Sequence, residues 1–166
     1  MNEIKICQMT DKSWSEVARI YESGIATKNA TFQTEAPDWD SWDKAHRKDC
    51  RLIAVINDTI VGWAALSNVS SRCVYSGVAE VSVYVDSEFR GKGVGDKLMD
   101  SLINESEMNG IWSLQAGIFP ENIGSINLHH KHGFRTIGIK ERIGKMDKTW
   151  RDVTMVERRS KTVGID

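Results

Sequence analysis

The sequence lacks the features that mark several large classes of protein. No stretch approaches the ~20 consecutive apolar residues of a membrane-spanning helix, and its first residues hold no apolar core of signal-peptide length. Lysine and arginine number 22 against 23 aspartate and glutamate residues, so there is no basic excess for nucleic-acid binding. We therefore expect a cytoplasmic protein without a membrane or nucleic-acid partner.

Cysteine is also scarce, and no group of residues resembles a metal site. The three cysteines are Cys7, Cys50 and Cys73. Their odd number, wide spacing and lack of a Cys-x-x-Cys pair favour reduced thiols. The histidines at 129, 130 and 132 have no carboxylate or cysteine at ligand spacing, so we expect no metal.

The composition is that of one globular domain. Hydrophobic residues make up 40% and charged residues 27% of the 166 residues, both near the globular average. A chain of this length can bury roughly 70% of the surface that it exposes when unfolded. Since there is no internal repeat or low-complexity tail, we expect a single domain over residues 1–166.

Hydrophobic periodicity predicts the element order β-α-α-β-β-β-α-β-α-β-β. The predicted strands are residues 3–9, 51–56, 59–66, 78–85, 111–118, 134–141 and 149–157. The predicted helices are one that begins at residue 10 or 11, and 38–48, 93–108 and 122–131. Asn57-Asp58 favours a hairpin, and the later strand-helix-strand units favour some parallel pairing. We expect an α/β fold with a mixed sheet and helices on both faces.

The turn after predicted strand 78–85 carries the clearest signal of a binding site. Its sequence, Arg-Gly-Lys-Gly-Val-Gly, occupies residues 90–95 at the start of a predicted helix. Glycines let backbone N–H groups converge without a Cβ atom in the way, and a helix N-terminus adds unpaired donors and a positive dipole end. The pattern suits a pyrophosphate, although these glycines alone are equally consistent with an ordinary strand-to-helix turn.

Two other phosphate-binding motifs do not fit this turn. A Walker loop needs GxxxxGK followed by serine or threonine, and the sequence has no such run. A dinucleotide fingerprint, GxGxxG, needs its third glycine one position after Gly95. The ligand must therefore be inferred from other segments.

Two separated patterns make the chain resemble the GNAT superfamily of acetyltransferases. Residues 90–95 are similar to the acetyl-CoA signature of that superfamily, R-x-x-G-x-G. Residues 122–134 are similar to its second signature, N-x-x-A-x-x-x-Y-x-x-x-G-F, with Ser125 in place of alanine and His129 in place of tyrosine. The resemblance implies a GNAT-like fold, whose central sheet is mostly antiparallel and splayed.

Within that superfamily the chain resembles the phosphinothricin N-acetyltransferase group. The similar segments are residues 29–32, 80–85, 117–122 and 150–153. The resemblance implies acetyl-CoA as the co-substrate and a homodimer as the assembly. The residues that it assigns to acetyl-CoA are Val83, Tyr84, Val85, Arg90, Gly91, Lys92, Gly93, Val94, Gly95, Asn122 and Ser125.

The resemblance also implies two catalytic residues. Glu80 stands where the phosphinothricin group carries its proposed general base, although a solvent-facing strand carboxylate is the alternative on the sequence alone. His129 stands where many GNAT enzymes carry a tyrosine general acid for the leaving thiolate, and histidine suits proton transfer near neutral pH. An ordinary helix-face histidine is the alternative there.

The acceptor site is expected among the loops. The resemblance links Arg72 and Tyr75 to the binding of an acidic substrate, and arginine suits bidentate capture of such an anion. A solvated loop arginine is the alternative for Arg72. Phe32 and Trp150 would wall its methyl-bearing side chain. The implied reaction acetylates the α-amino group of a small amino acid such as phosphinothricin, methionine sulfoximine or methionine sulfone. A peptide N-terminus or another amine, and a non-enzymatic acetyl-CoA sensor, are the alternatives.

Overall fold

The computed structural model describes residues 3–166, so the predictions for Met1 and Asn2 lie outside the described residues. The strands are β1 Lys5–Gln8, β2 Leu52–Ile56, β3 Thr59–Asn68, β4 Val78–Val85, β5 Ser113–Ile118, β6 Arg135–Met146 and β7 Thr149–Arg159. The helices are α1 Trp14–Ala26, α2 Trp39–Ala45, α3 Val94–Met108 and α4 Ile123–Lys131. This order is the predicted one.

The strands form one seven-stranded sheet in the order β1-β2-β3-β4-β5-β7-β6. Five of the six neighbouring pairs are antiparallel, and the pair of β4 with β5 is parallel. The parallel pair is a consequence of the α3 crossover, because parallel neighbours need a long connection. The mixed, mostly antiparallel sheet is therefore confirmed.

Alternating side chains of the sheet pack against helices on opposite faces. Ala64 and Val81 belong to a large apolar cluster with Leu98 of α3. Trp63 and Ala65 belong to a second cluster, in which α1 and α2 pack on the other face. Because successive strand residues point to opposite faces, these two clusters confirm the predicted helices on both sides.

The strand β6 is longer than the predicted 134–141. Its register with β7 shifts between Lys140 and Gly144, which marks a β-bulge. At the bulge Arg142 has a φ of 47°, and its N–H donates to Oδ1 of Asp152 at 2.7 Å. Pairing resumes at Gly144. The bulge interrupts the alternation of apolar and polar residues along β6, so the second half of the strand has no periodic pattern from which it could be predicted.

The helix α2 is shorter than the predicted 38–48. Asp38 caps its start by accepting a hydrogen bond from the Ser41 N–H at 2.8 Å. His46 already has extended backbone, with φ −114° and ψ 153°. The backbone N–H of Arg47 then donates to the Leu66 carbonyl at 2.9 Å. The chain therefore leaves the helix early because it runs alongside β3.

Candidate active site

A cleft opens where two neighbouring strands separate. β4 and β5 are paired only across Val78–Glu80 and Ser113–Gln115. Beyond this point β4 stays paired with β3 and β5 stays paired with β7. The facing edges of the two strands border an open cleft of about 1170 Å³, lined by Val83, Tyr84 and Val85 among others. An extended ligand can join such an edge through backbone hydrogen bonds.

The glycine turn borders the same cleft. Gly91 has a φ of 71° and Gly93 a φ of 84°, values that favour glycine over residues with a Cβ atom. Gly93 is the N-cap of α3 and supplies no side-chain acceptor to its first N–H groups. A Cβ atom at Gly93 would meet nothing closer than Cδ1 of Ile4, at 4.0 Å. The amides at this helix start therefore face open space beside Arg90, as an anion site requires.

Two side chains of the predicted turn point elsewhere. Val94 is buried in the core at 1% exposure, and the Lys92 ammonium lies 4.9 Å from the ring centroid of Phe89. Neither residue lines the cleft, so only their backbone is left for a role there. Gly95 has a packing role, because a Cβ atom would lie 3.2 Å from Cδ2 of Leu128 and push α3 away from α4.

Asn122 and Ser125 lie on the opposite wall of the cleft. Oδ1 of Asn122 accepts the Ser125 N–H at 3.2 Å and thereby caps α4. Nδ2 of Asn122 donates to the Asn29 carbonyl at 3.1 Å. Arg151 holds the same loop, since its Nη1 donates to the Lys28 carbonyl at 2.9 Å. This wall is therefore fixed to the loop that follows α1.

His129 lines the cleft but is arranged differently from the prediction. It is only 4% exposed, and Nδ1 lies 2.7 Å from the Ser125 carbonyl oxygen. A carbonyl only accepts, so Nδ1 carries the proton and Nε2 holds a lone pair. Nε2 is buried and has no protein partner within residues 3–166.

Burial also lowers the pKa of the His129 imidazole, and the nearby His130 and His132 lower it further. The ring is therefore neutral near pH 7. A neutral ring of this tautomer has no proton to donate at Nε2. The arrangement does not support the predicted general-acid role for His129 and favours a hydrogen-bond acceptor instead.

Glu80, Ser82 and Tyr84 share the face of β4 opposite Val83, because strand side chains alternate, and all three line the cleft. The ring of Tyr84 stacks on Trp63 with centroids 4.8 Å apart. Burial raises the pKa of the Tyr84 hydroxyl well above its usual value, so this group stays protonated. Glu80 is exposed to the cleft, opposite Ser67 of β3.

Two carboxylates line the described part of the cleft, Glu80 and Asp96. Asp96 lies 2.9 Å from Nζ of Lys131 and 2.9 Å from Nε2 of His132. These partners hold the pKa of Asp96 below its usual value. Because Asp96 is already engaged between α3 and α4, Glu80 is the carboxylate available to a ligand at the point where β4 leaves β5.

Phe32 is the one predicted acceptor-binding residue that lines the described cleft. Its ring meets that of Phe119 edge to face, with centroids 4.9 Å apart. A Cβ atom at Gly144 would approach the Phe32 ring to 2.7 Å. Glycine after the bulge in β6 therefore allows the Phe32 ring to rest on that strand.

Arg72 and Tyr75 are not among the residues that line the described cleft, and their predicted role in binding the acceptor stays a prediction. Both are exposed in the loop between β3 and β4, with the guanidinium carbon of Arg72 5.4 Å from the Tyr75 ring centroid. The loop extends beyond the pair of Asn68 with Ala79 that ends the β3–β4 ladder, so these side chains meet solvent. Trp150 also lies outside the cleft and is 49% exposed.

Several lining residues carry no signal in the sequence. They are His46, Gln115, Lys140 and Ile143. None of them belongs to a motif, and each reaches the cleft through tertiary pairing. Lys140 and Ile143 flank the irregular stretch of β6, which lies beside a site as bulges often do.

The described residues also bear on other functional classes. Within residues 3–166, no group of three or more His, Cys, Asp or Glu side chains could hold a metal ion. None of the helices in that range has the length and apolarity needed to cross a membrane. The three cysteines are free thiols, and Cys50 alone among them is buried.

Known sequences match the chain over both walls of the cleft. The model of the acetyltransferase (GNAT) family matches residues 14–134. YwnH of Bacillus subtilis, named as a candidate phosphinothricin acetyltransferase, is 34% identical over 147 residues, which are 86% of this chain and 90% of YwnH. An L-methionine sulfoximine/L-methionine sulfone acetyltransferase of Salmonella typhimurium is 33% identical over 106 residues, 64% of this chain and 62% of that protein.

A solved structure shares the whole fold. It is that of YncA, a candidate acetyltransferase from Salmonella typhimurium, with its cofactor acetyl-CoA. The TM-score is 0.89 at 26% identity, and the match covers 99% of this chain and 98% of YncA. The splayed sheet is therefore shared with a protein that holds acetyl-CoA.

Proposed function

Because this chain belongs to the acetyltransferase (GNAT) family, we propose that it acetylates the α-amino group of a small amino acid. It is an acetyl-CoA-dependent N-acetyltransferase, as its family and its amino-acid N-acyltransferase relatives establish. The acceptor is the proposed part. We propose phosphinothricin, methionine sulfoximine or methionine sulfone, or an amino acid of the same shape.

The separation of β4 from β5 directly after Glu80 is the observation that carries this proposal. The free edge at Val83 and Val85 fits the pantetheine arm of acetyl-CoA as an added strand. The amides of residues 91–95 and the charge of Arg90 fit its pyrophosphate. Asn122 would border the other side of the arm. When bound, acetyl-CoA supplies the thioester that the acceptor amine attacks.

The charged residues of the cleft indicate which group takes up the proton of the acceptor amine. The α-amino group of a peptide has a pKa of about 8 in water, and the ionised carboxylate of a free amino acid raises the pKa of its amino group further. Most of the acceptor is therefore an unreactive ammonium ion at pH 7. We propose that Glu80 accepts its proton, directly or through water, since Asp96 is held by Lys131 and His132. The neutral amine would then attack the thioester carbonyl directly, without an acetylated enzyme. The C–N bond forms, the C–S bond breaks, and CoA would leave as a thiolate that takes up the proton still to be lost by the amine nitrogen.

The part of the cleft that would bind the acceptor side chain has an apolar wall and one cation. Phe32, Phe119 and Ile143 supply apolar surface for a methyl group. Lys140 lies in the same part of the cleft, because it pairs with Val153, which is another lining residue. We propose that Lys140 supplies the positive charge that was expected from Arg72, which suits a phosphinate or another polar tetrahedral group.

The proposal is tested by free-thiol release from acetyl-CoA with a panel of acceptors. The three named amino acids should turn over, and a peptide with a free N-terminus should be a poorer acceptor. A Glu80→Gln variant should lose on the order of 100-fold in kcat, because general-base catalysis is worth that much. Turnover of the peptide alone would overturn the amino-acid assignment.

The assembly and location complete the proposal. We propose a homodimer formed through β6 and β7, since Ile137, Ile139 and Trp150 are exposed there and exposed apolar groups often mark an interface. Its mass in solution, measured by light scattering, should be that of two chains. We also propose one domain over residues 1–166 and a cytoplasmic location, in keeping with the free thiols.

A further inference from the structure

His46 is held rigidly at one wall of the cleft. Its ring stacks on Trp42 with centroids 4.0 Å apart and planes 16° apart. Nδ1 lies 2.8 Å from the Trp42 carbonyl oxygen, and the His46 carbonyl accepts from Nη2 of Arg51 at 3.1 Å. The stack and the two hydrogen bonds fix both the ring plane and the backbone. A side chain this constrained can hold a ligand group at a defined point.

The hydrogen bond at Nδ1 also fixes the chemistry of the ring. Since the Trp42 carbonyl only accepts, Nδ1 carries the proton, and Nε2 is the nitrogen left for the cleft that His46 lines. Burial lowers the pKa of His46, and the nearby Arg51 lowers it further, so the ring is neutral at pH 7. A neutral Nε2 with a lone pair attracts an N–H donor and repels a carboxylate oxygen.

The sheet brings His46 close to Glu80. Arg47 is bonded to Leu66 of β3, and the next residue of β3, Ser67, pairs with Glu80 of β4. His46, Ser67 and Glu80 therefore lie side by side, and all three line the cleft. Neighbouring strands are about 4.8 Å apart, so the backbones of His46 and Glu80 are separated by roughly 10 Å. The two side chains therefore line the same part of the cleft, on either side of Ser67.

We propose that His46 is a specificity-determining residue that binds the amino group of the acceptor through Nε2, opposite Glu80. This inference rests on the proposed function and names a residue which that function does not use. One N–H of the bound ammonium group would donate to Nε2 of His46 and another to the Glu80 carboxylate, so that the third faces the thioester. Loss of that third proton to Glu80 through water would then leave the nitrogen lone pair directed at the thioester. The same lone pair at Nε2 keeps the acceptor carboxylate away from this wall.

Two amide variants separate the roles of the ring nitrogens. His46→Asn retains a donor near the position of Nδ1, so it can still bond the Trp42 carbonyl, but it has nothing at the position of Nε2. His46→Gln places an amide oxygen near the position of Nε2 and can still accept from an amine. His130→Asn is the matched control, because His130 is an exposed residue of α4 that does not line the cleft.

The measurement is steady-state kinetics of all four proteins with the best acceptor of the panel and with acetyl-CoA. We expect His46→Asn to raise the KM for the acceptor roughly tenfold, the value of one hydrogen bond to a charged group. The KM for acetyl-CoA should stay within about twofold of the wild type, because the ring lies away from the proposed cofactor wall. His46→Gln should recover most of the loss, and His130→Asn should match the wild type.

Three results would overturn the inference. They are an unchanged acceptor KM in His46→Asn, an equal loss in the Asn and Gln variants, and a loss confined to acetyl-CoA. Thermal melting of each variant shows whether it is folded. If His46→Asn has a folding defect, binding of an acceptor and of its deaminated analogue is measured with His46→Gln and with the wild type instead. The wild type should bind the amine-bearing compound more tightly, and equal binding would contradict the role of His46. Failure of the proposed function is a different result, since wild-type protein would then turn over no amino acid.

Discussion

At the scale of single residues, two histidines owe their chemistry to one backbone hydrogen bond each. His46 bonds through Nδ1 to the carbonyl of Trp42, and His129 bonds in the same way to that of Ser125. Both acceptors lie four residues earlier in the chain, Trp42 within α2 and Ser125 in the first turn of α4. Because each carbonyl takes the Nδ1 proton, both rings offer a lone pair at Nε2. His46 thereby places an acceptor at the wall of the cleft, whereas Nε2 of His129 is buried.

The buried His129 should make the stability of the protein depend on pH. Its folded pKa lies below the unfolded value of about 6.5. Its contribution is therefore complete above pH 6.5 and is lost as the pH falls from there through the folded pKa, because the unfolded state binds the proton more readily. Urea unfolding at pH 7, 6 and 5 should show this loss as a fall in the free energy of unfolding. In His129→Phe the slope of that free energy against pH should be smaller.

The free energy of unfolding should depend on pH more steeply in the wild type than in His129→Phe. The difference between the two slopes reports on the His129 imidazole alone, because the carboxylates and His46 contribute equally to both proteins. Its upper limit is about 1.4 kcal/mol per pH unit for a single group. Identical slopes would mean that His129 is not held neutral in the folded protein. The absolute stability of the variant does not enter the comparison.

At the scale of elements, the turn before α3 is the segment where the backbone itself forms the proposed phosphate site. β4 delivers the chain to the turn, where Gly93 in a left-handed conformation ends the turn and begins the helix. Asp86 fixes the approach, since its side chain accepts from the Glu88 N–H at 3.0 Å and from Nη1 of Arg19 at 2.8 Å. The proposed anion site is therefore built from backbone, and a contact from α1 supports the segment that leads to it.

Gly93→Ala should weaken acetyl-CoA binding beyond its effect on stability. The new Cβ atom costs about 1 kcal/mol at a left-handed position and stands in the open space above the amides, so we expect the Kd to rise on the order of tenfold. Gly110→Ala is the control, since Gly110 has a φ of 75° and an added Cβ atom there would meet nothing within 4 Å. Calorimetry should show wild-type affinity in that control, and equal affinities in both variants would exclude the turn as the phosphate site.

The sequence predicts the elements better than it predicts the site. Alternation and glycine chemistry are local, so β4, the turn and α3 follow from residues 78–108 alone. The separation of β4 from β5 depends on which strands pair elsewhere in the sheet. The bulge near Lys140 and the early exit of His46 from α2 depend on such pairing as well. The position of Arg72 likewise depends on the path of a loop, which the sequence around it does not determine.

At the scale of the whole molecule, the sheet works as two halves joined at one short parallel contact. β1 to β4 form one half, and β5, β7 and β6 form the other. Arg151 of β7 bridges the cleft, since it bonds the Lys28 carbonyl after α1 and lies 3.2 Å from Glu121 before α4. The fold thus holds an open cleft at the centre of its sheet, with both halves tied together beside it.

A crystal structure with acetyl-CoA and methionine sulfone tests the central claim most directly. We predict the pyrophosphate on the amides of residues 91–95, the pantetheine arm paired with Val83 and Val85, and the acceptor amine between Glu80 and His46. An acceptor amine bound near Arg72, or a cofactor lying outside the gap between β4 and β5, would contradict the account.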